Sequence, residues 1–264
     1  MKTNFNILGP LLLLLVLPFM GFSQQLHTKE APLPCLNKTF SIYAYIVIDS
    51  LHKVDVEKRK RAIVRAFETV NTYFAPICVR FEVCEFDTVP NYQYFHMYKV
   101  ADSLWDELTV KYHHNRRINM YFTGSFRKDP IGGFSAGGIA VDDGGICIVG
   151  PSAGTITHEL GHYFGLKHTF DKSKGLELVD GSNCKTTGDE ICDTPADPYY
   201  GSDPPIQWVD DKCRFIYQER DANGDYYRPD VGNIMSYYGC ACGFTRGQYI
   251  KMANSWLNSS RTKW

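Results

Sequence analysis

The run His158-Glu-Leu-Gly-His-Tyr-Phe-Gly-Leu-Lys-His168 constrains this chain more than any other feature of it. His158 and His162 are four residues apart, so on a helix they leave the same face, about 40° apart around the axis. Gly165 suits a left-handed turn that ends such a helix, and the reversed chain can then supply His168. Three imidazoles that converge in this way predict one metal ion held by a helix and the turn after it.

Glu159 directly follows the first of these histidines. On a helix it therefore points past the metal rather than at it, where its carboxylate can act as general base towards a water. Three imidazoles also leave one position of a tetrahedral zinc open, which is typical of catalytic and not of structural zinc. A run with these five fixed letters arises by chance on the order of once in ten million positions. The sequence therefore predicts catalytic zinc, with Glu159 as base.

The remaining periodicity predicts an α/β fold class. Strands and helices alternate before residue 165, which favours a mainly parallel sheet. The stretch from residue 172 to about 232 has little periodicity and is predicted to be loop. The predicted strands are Phe40–Ile48, Cys78–Phe86, Ile118–Thr123, an irregular edge strand within Ile131–Val141, and Gly145–Gly150, and the predicted helices are Asp55 to about Tyr73, Ala101–Tyr112, the helix of the metal run, and Thr245–Leu257.

The N-terminal segment has the pattern of a secretory signal peptide. Lys2 precedes an apolar stretch, Ile7–Met20, and small residues follow it up to Ser23. A membrane anchor is the alternative, but the stretch is shorter than the roughly 20 residues of a spanning helix. We therefore expect residues 1–23 to be removed, no stable membrane insertion afterwards, and a secreted or periplasmic protein.

Residues 24–36 are predicted to be a short leader or pro-segment, and residues 37–264 a single catalytic domain. The formal net charge of the whole chain is −1, with 28 basic and 29 acidic residues. That balance offers no basic surface for nucleic acid, so a nucleic-acid partner is not expected.

Nine cysteines are present, which is an odd number. In an exported chain disulfides are the default expectation, and at least one thiol must then stay outside an intramolecular pair. Zinc binding by these cysteines is less favoured because no C-x2-C pair exists. Cys78 and Cys84 should not bond each other, since six residues of extended strand span about 20 Å.

Beyond the metal run, the segment Asn233-Ile-Met-Ser-Tyr237 resembles the Met-turn of metzincin peptidases. Within that clan the chain is most similar to the pappalysin family. The resemblance is carried by Thr169-Phe170 after the last histidine, by Gly188–Ala196 (GDEICDTPA), and by Phe244–Gln248 after a cysteine. Ile131–Phe134 and Gly145–Ile148 are also similar to the family's strands before the zinc helix.

The resemblance implies a secreted zinc metalloendopeptidase that cleaves proteins or peptides. Its fold would have an upper lobe to about residue 165, with a twisted, mainly parallel sheet and the active-site helix, and an irregular, disulfide-linked lower lobe, residues 166–264. Met235 would lie beneath the metal, and the Tyr237 hydroxyl would help to hold the oxyanion. An extended substrate would pair with the edge around Gly137–Val141.

The resemblance also implies structural calcium in the lower lobe, with Asp189, Asp193 and Thr194 as oxygen donors; a tight turn is the alternative. It implies the disulfides Cys184–Cys213 and Cys192–Cys242. Asp221–Asp225 (DANGD) could hold calcium too, but its spacing does not match an EF-hand loop and favours a plain turn.

Two departures from the family pattern bear on function. Relatives that prefer arginine after the scissile bond carry an acidic residue just after the Met-turn, whereas Tyr238-Gly-Cys-Ala241 has none. Basic preference is therefore not expected, unless Asp210 or Asp211 reaches the pocket. The leader is also short, so latency through a cysteine thiolate on zinc would have to use Cys35.

Two alternatives to a peptidase stay open on the sequence. One is a catalytically silent secreted binding protein on the same fold, for which loss of Glu159 would have been the sign. The other is a zinc hydrolase of a non-peptide substrate.

Overall fold

The computed structural model describes residues 31–51, 54–97, 103–126, 138–141, 145–200 and 205–259. The predicted signal peptide and the first part of the predicted edge strand, residues 131–137, lie outside these residues. Leu33–Trp264 forms one compact unit. In the described part of the chain no helix is long and apolar enough to cross a bilayer.

A five-stranded sheet and the helices packed on it form the first half of this unit. The sheet order is β2-β1-β4-β7-β6, with β6 antiparallel to β7 and the other neighbouring pairs parallel. The mainly parallel sheet and the mixed α/β class are therefore confirmed. The strands are β1 (Lys38–Ile48), β2 (Val79–Pro90), β3 (His96–Met97), β4 (Ile118–Thr123), β5 (Ser125–Phe126), β6 (Gly138–Val141) and β7 (Gly145–Val149), of which β3 and β5 form a separate parallel pair.

The helices are α1 (Val56–Phe74), α2 (Tyr92–Phe95), α3 (Ser103–Lys111), α4 (Ala153–Tyr163) and α5 (Arg246–Asn258), with short 3₁₀ turns at Ala75–Ile77 and Pro205–Trp208. Asp55 caps α1, because its carboxylate accepts a hydrogen bond from the Lys58 backbone at 2.9 Å. The periodic apolar residues of β1 and α1, such as Phe40 and Ile63, are buried in the main core. Burial of each such side chain stabilises the fold by roughly 1.5–3 kcal/mol.

Aromatic rings connect this core to the C-terminal helix. Trp256 of α5 packs edge-on against Phe40 of β1, with ring centroids 4.6 Å apart. Tyr249 donates a hydrogen bond to the Tyr73 carbonyl at 2.8 Å. The last helix therefore packs on the same core that supports the sheet, although about 80 residues of mostly irregular chain precede it.

Three disulfides lie in the described residues: Cys35–Cys78, Cys184–Cys192 and Cys213–Cys240. The predicted pairings Cys184–Cys213 and Cys192–Cys242 are wrong. Cys184 and Cys192 close a short irregular loop on themselves, with their Cα atoms 5.0 Å apart. The partner of Cys213 is Cys240, just after the Met-turn, and Cys242 is an exposed thiol.

The Cys35–Cys78 disulfide also contradicts the latency hypothesis. The sulfur of Cys35 is bonded to Cys78, just before β2, and so is not available as a thiolate ligand. The Leu36 backbone adds a hydrogen bond to the Ile77 carbonyl at 2.9 Å. The chain around residue 35 is thus attached to the folded unit. Cys78 and Cys84 are not bonded to each other, as predicted, and Cys84 is an exposed thiol.

Candidate metal centre

Helix α4 carries the first two histidines. Ser152 caps its N-terminus by accepting from the Thr155 backbone. Ile156 and Leu160 are fully buried in the main core, and this turns the face with His158 and His162 away from the core. Gly165 has a φ of 86°, and the Leu166 backbone donates to the Gly161 carbonyl at 3.0 Å. This left-handed helix end reverses the chain and delivers His168.

The three histidines meet at one point. Their Nε2 atoms are 3.1 Å apart between His158 and His162, 3.0 Å between His162 and His168, and 3.2 Å between His158 and His168. Among the described residues, this is the cluster of three or more potential ligand side chains that could hold one ion. Such a triangle of nitrogen atoms fits a tetrahedral ion with metal–nitrogen distances of about 2.0–2.1 Å.

Backbone carbonyls fix the orientation of two of these rings. The Nδ1 atom of His158 lies 2.7 Å from the Ile234 carbonyl oxygen, and that of His162 lies 2.8 Å from the Leu166 carbonyl oxygen. A carbonyl only accepts, so each Nδ1 must carry the proton, and each Nε2 keeps its lone pair for a metal.

The surroundings of the rings also keep them neutral. Burial, followed by the charge of His162, lowers the pKa of His158 to about 4. Burial and the neighbouring histidines lower the pKa of His168 to about 2, and burial lowers that of His162. Neutral imidazole is the form that binds zinc, so the protein presents these ligands already deprotonated at neutral pH.

Met235 lies under the helix with no exposed surface. A Cβ atom on Gly161 would come within 2.5 Å of its sulfur, so glycine at that position gives the methionine its space. The turn around Met235 is held by Asn233, whose side chain accepts from the Met235 backbone at 2.9 Å. Asn233 and Gln248 exchange two hydrogen bonds of 3.0 Å through their buried amides. Helix α5 therefore fixes the floor of the site.

Tyr237 and Glu159 complete the site. The ring of Tyr237 lies 4.8 Å from that of His168 and 5.6 Å from that of His158, measured between centroids. Burial, then the charge of Glu159, raises the pKa of Tyr237 to about 12, so its hydroxyl keeps its proton. The Glu159 side chain is buried, 3% exposed. A shielded carboxylate and a hydroxyl donor thus lie near three nitrogen ligands.

Asp197 connects two segments of the site. Its carboxylate accepts from the Thr169 hydroxyl at 2.7 Å, from the Tyr238 hydroxyl at 2.6 Å, and from the Tyr199 backbone at 3.1 Å. Burial raises the pKa of Asp197, and these hydrogen bonds oppose the rise because they favour the charged form. Thr169 follows the third histidine, and Tyr238 follows Tyr237.

The residues predicted to bind calcium separate into two groups. Asp189 and Thr194 are buried, and the Asp189 Oδ2 and Thr194 Oγ1 atoms make no hydrogen bond of normal geometry among the described residues, although the Thr194 hydroxyl is close enough to lower the pKa of the Asp189 carboxyl. Asp193 instead caps α5, because its carboxylate accepts from the Thr245 hydroxyl at 2.9 Å and the Gly247 backbone at 2.7 Å. Both oxygens of Asp193 are thereby used.

Glu177 joins the first of these groups. It is buried, and burial followed by the charge of Asp189 raises its pKa to about 8. Burial likewise raises the pKa of Asp189 to about 7. A buried carboxyl group whose ionisation is opposed by a neighbouring carboxylate, as that of Glu177 is by Asp189, is the arrangement that a cation would relieve. The other candidate, around Asp221, is a turn: the carboxylate accepts from three backbone N–H groups, of Val179, Asn223 and Asp225.

An aromatic wall adjoins the three histidines on one side. Phe170 stacks on His168 with centroids 4.7 Å apart, and Tyr199 packs edge-on against Phe170 at 4.7 Å. Asp210, a candidate for binding a basic substrate side chain, is bound by Arg214 through contacts of 2.7 and 2.6 Å. The carboxylate of Asp210 is therefore already neutralised within its own loop.

Sequence reasoning missed three residues that organise these sites: Asp197, Glu177 and Gln248. A local signal existed for Gln248, because Thr245 and Gln248 form a capping box at the start of α5. Asp197 is 28 or more residues from its hydrogen-bond partners, and Glu177 is 12 residues from Asp189. The chain between them is irregular, so no periodic pattern in the sequence predicts these contacts.

A protein-family model described as pregnancy-associated plasma protein-A, a peptidase family, matches residues 147–256. That range runs from β7 through α4 and the Met-turn to α5. An extracellular metalloprotease of Arthroderma otae is 30% identical over 116 residues, which cover 39% of this chain and 38% of the relative. One of Verticillium alfalfae is 32% identical over 104 residues, 39% of this chain and 29% of the relative. The chain thus matches less than two fifths of the length of these curated relatives.

Among solved structures, mature mirolysin of Tannerella forsythia in complex with a cleaved peptide aligns with a TM-score of 0.48. The identity is 16%, and the alignment covers 81% of this chain and 90% of mirolysin.

Proposed function

We propose that this chain, whose residues 147–256 match a family model of metallopeptidases, is a pappalysin-like extracellular zinc-dependent endopeptidase acting on proteins or peptides. The observation that carries the proposal is the convergence of three neutral imidazole Nε2 atoms, 3.0–3.2 Å apart, beside a buried carboxylate. The metal is Zn²⁺, held by His158, His162 and His168. Bound there, it would lower the pKa of a water to about 7 and polarise a carbonyl oxygen.

Glu159 is the general base in this proposal. It lies on α4 one residue after the first ligand, so it is held near the three nitrogens without being one of the ligands. It accepts a proton from the water that attacks the peptide carbonyl and then passes that proton to the leaving amine. Its burial excludes competing solvent and fixes the carboxylate for this transfer.

The Tyr237 hydroxyl donates a hydrogen bond to the oxygen that gains negative charge during attack. Its raised pKa keeps that proton in place at neutral pH, and its ring packs against two ligand rings. A hydrogen-bond donor fixed in a low-dielectric site stabilises the transition state more than the ground state.

The substrate would bind in an extended conformation along the sheet edge. β6 is the last strand in the sheet order, and its only neighbour within the five-stranded sheet as described is β7. A peptide that adds a strand to this edge would be held by main-chain hydrogen bonds, whatever its sequence. Such binding suits an enzyme that cleaves within polypeptides.

Calcium is proposed as a second, structural ion, with Asp189, Thr194 and Glu177 as oxygen donors. Two buried oxygen atoms without a hydrogen bond of normal geometry and two carboxyl groups with raised pKa support this. Asp193 would contribute indirectly, by capping α5.

Export of the protein from the cytoplasm is part of this proposal. The relatives are named extracellular metalloproteases. Three disulfides also suit an oxidising compartment. Together with the predicted signal peptide, residues 1–23, they support a secreted or periplasmic enzyme whose partners are protein or peptide substrates.

The test compares Glu159→Ala with the parent and with Glu57→Ala, which removes an exposed glutamate of α1. Cleavage of casein and a denatured proteome is followed by mass spectrometry, with and without chelator, and zinc is counted by elemental analysis. We expect about one zinc in all three proteins and cleavage only in the parent and Glu57→Ala.

Tyr237→Phe should keep zinc and lose about 10- to 1000-fold in kcat. A parent without zinc would refute the metal centre. A zinc-loaded parent that cleaves no peptide would favour a silent binding protein or a hydrolase of another substrate. Cleavage by Glu159→Ala at the parent's rate would refute the base.

A further inference from the structure

We propose that Asp197 is a positioning residue that ties the third zinc ligand to the tyrosine beside it. The inference rests on the proposed zinc peptidase function and deepens it. Asp197 touches neither His168 nor Tyr237 in the contacts described above. It holds the residue that follows each of them, through the Thr169 and Tyr238 hydroxyls at 2.7 and 2.6 Å.

No helix carries His168, although its ring packs against Phe170 and Tyr237. His158 and His162 are carried by one helix and are each oriented by a carbonyl, whereas His168 lies in irregular chain after the helix has ended. The Thr169 backbone donates to the Met235 carbonyl at 3.2 Å, and its hydroxyl donates to Asp197. These two bonds add to the ring contacts and hold the backbone directly after the third ligand.

The second hydrogen bond to Asp197, from Tyr238, fixes the chain that leaves the Met-turn. Tyr238 is 1% exposed, and its hydroxyl bond to Asp197 holds the backbone directly after Tyr237. Asp197 is itself held by the Tyr199 backbone, next to the aromatic wall. One carboxylate therefore sets the distance between the ligand segment and the tyrosine segment.

A carboxylate suits this task better than a neutral side chain. It is an acceptor at both oxygens, so two hydroxyl donors can be bound from opposite segments without competition for one atom. Hydrogen bonds to a charged acceptor are also shorter and stronger than neutral ones. Partners outside the ligand shell commonly change metal affinity by about 10- to 100-fold when they are removed.

The test removes the two hydrogen bonds to Asp197 separately. Thr169→Val removes the hydrogen bond from the segment of His168 to Asp197, and Thr169→Ser keeps the hydroxyl that makes it. Tyr238→Phe removes the hydrogen bond from the segment of Tyr237. Asp197→Ala removes the acceptor of both bonds. Tyr227→Phe is the matched control, since it removes a hydroxyl from another buried tyrosine of the same region. Each full-length protein is assayed for zinc release to excess chelator, for the visible spectrum of its Co²⁺ form, and for kcat and KM on a fluorogenic peptide.

Thr169→Val should release zinc about 10-fold faster or more and alter the Co²⁺ spectrum, and Thr169→Ser should match the parent. Tyr238→Phe should lower kcat by about 10-fold or more, with KM within about 3-fold and with slow zinc release. Asp197→Ala should show both effects, and Tyr227→Phe neither.

Folded variants that melt earlier but release zinc and turn over like the parent would refute the proposal. If Asp197→Ala does not fold, the split between Thr169→Val and Tyr238→Phe decides it. A parent that binds no zinc or cleaves nothing would instead refute the proposed function.

Discussion

Gly161, between the first two ligands, is where a single methyl group should disturb the metal site. A Cβ there would lie 2.5 Å from the Met235 sulfur, about 1 Å inside an ordinary contact. Met235 has no exposed surface and its turn is fixed by Asn233, so the sulfur cannot swing away into solvent. Overpacking of this kind costs about 1–3 kcal/mol.

Helix propensity acts in the opposite direction, because alanine is favoured over glycine in a helix by about 1 kcal/mol. Gly154→Ala in the same helix isolates that term, since a Cβ there meets no atom closer than 3.9 Å. The overlap should therefore make Gly161→Ala the less stable of the two by about 2 kcal/mol. For a domain of this size the gap in melting temperature is about 4–8 °C.

Both alanine variants are measured with the parent by thermal unfolding, with zinc bound, and by zinc release to a chelator. Gly161→Ala should melt earlier than Gly154→Ala and release zinc faster, because the floor beneath the ligands is displaced. Equal melting temperatures and equal release rates for the two variants would show that Met235 yields freely. The methionine would then not be a rigid support for the metal site.

Three further predictions follow from the structure. Without calcium, the free energy of unfolding should fall as pH rises from about 5 to 8, because burial holds the pKa values of Glu177 and Asp189 at about 8 and 7, above those of the unfolded chain. Calcium should raise the melting temperature most at pH 8. Calorimetry of Glu177→Gln should show that both effects are smaller than in the parent. Replacing Cys35 and Cys78 together by serine should destabilise the fold by about 4 kcal/mol, since their disulfide closes a loop of 43 residues; unchanged urea midpoints would contradict this. Cleavage products from an unbiased peptide library should show no dominance of Arg or Lys after the cut, because residues 238–242 carry no carboxylate and an unpaired guanidinium is costly to bury; strong Arg enrichment there would overturn that inference.

The parts of this protein that the sequence predicts are those that depend on regular geometry. The histidine spacing matches a helix and the turn that ends it, and the alternation in β1 matches one buried face. Disulfide pairing has no such periodicity, and carrying it over by position from a family pattern failed for Cys184 and Cys213.

Polar contacts between residues far apart in the chain could not be predicted from the sequence either. Asp197 lies in an Asp- and Pro-rich loop in which any of several carboxylates could have been the one that faces inward. Its partners are 28 and 41 residues away. The same applies to Glu177, whose burial results from the fold of the irregular region and not from a local pattern.

The amide pair between Asn233 and Gln248 has a consequence for the order in which the site is made. During synthesis, the three histidines of the candidate metal centre leave the ribosome about 80 residues before Gln248 does. Until α5 exists, Asn233 lacks its partner, and the core lacks Trp256 against Phe40. A nascent chain can therefore hold all three histidines while the support for Met235 is still missing. We therefore expect a chain released before α5 is translated to carry the three histidines without the proposed peptidase activity.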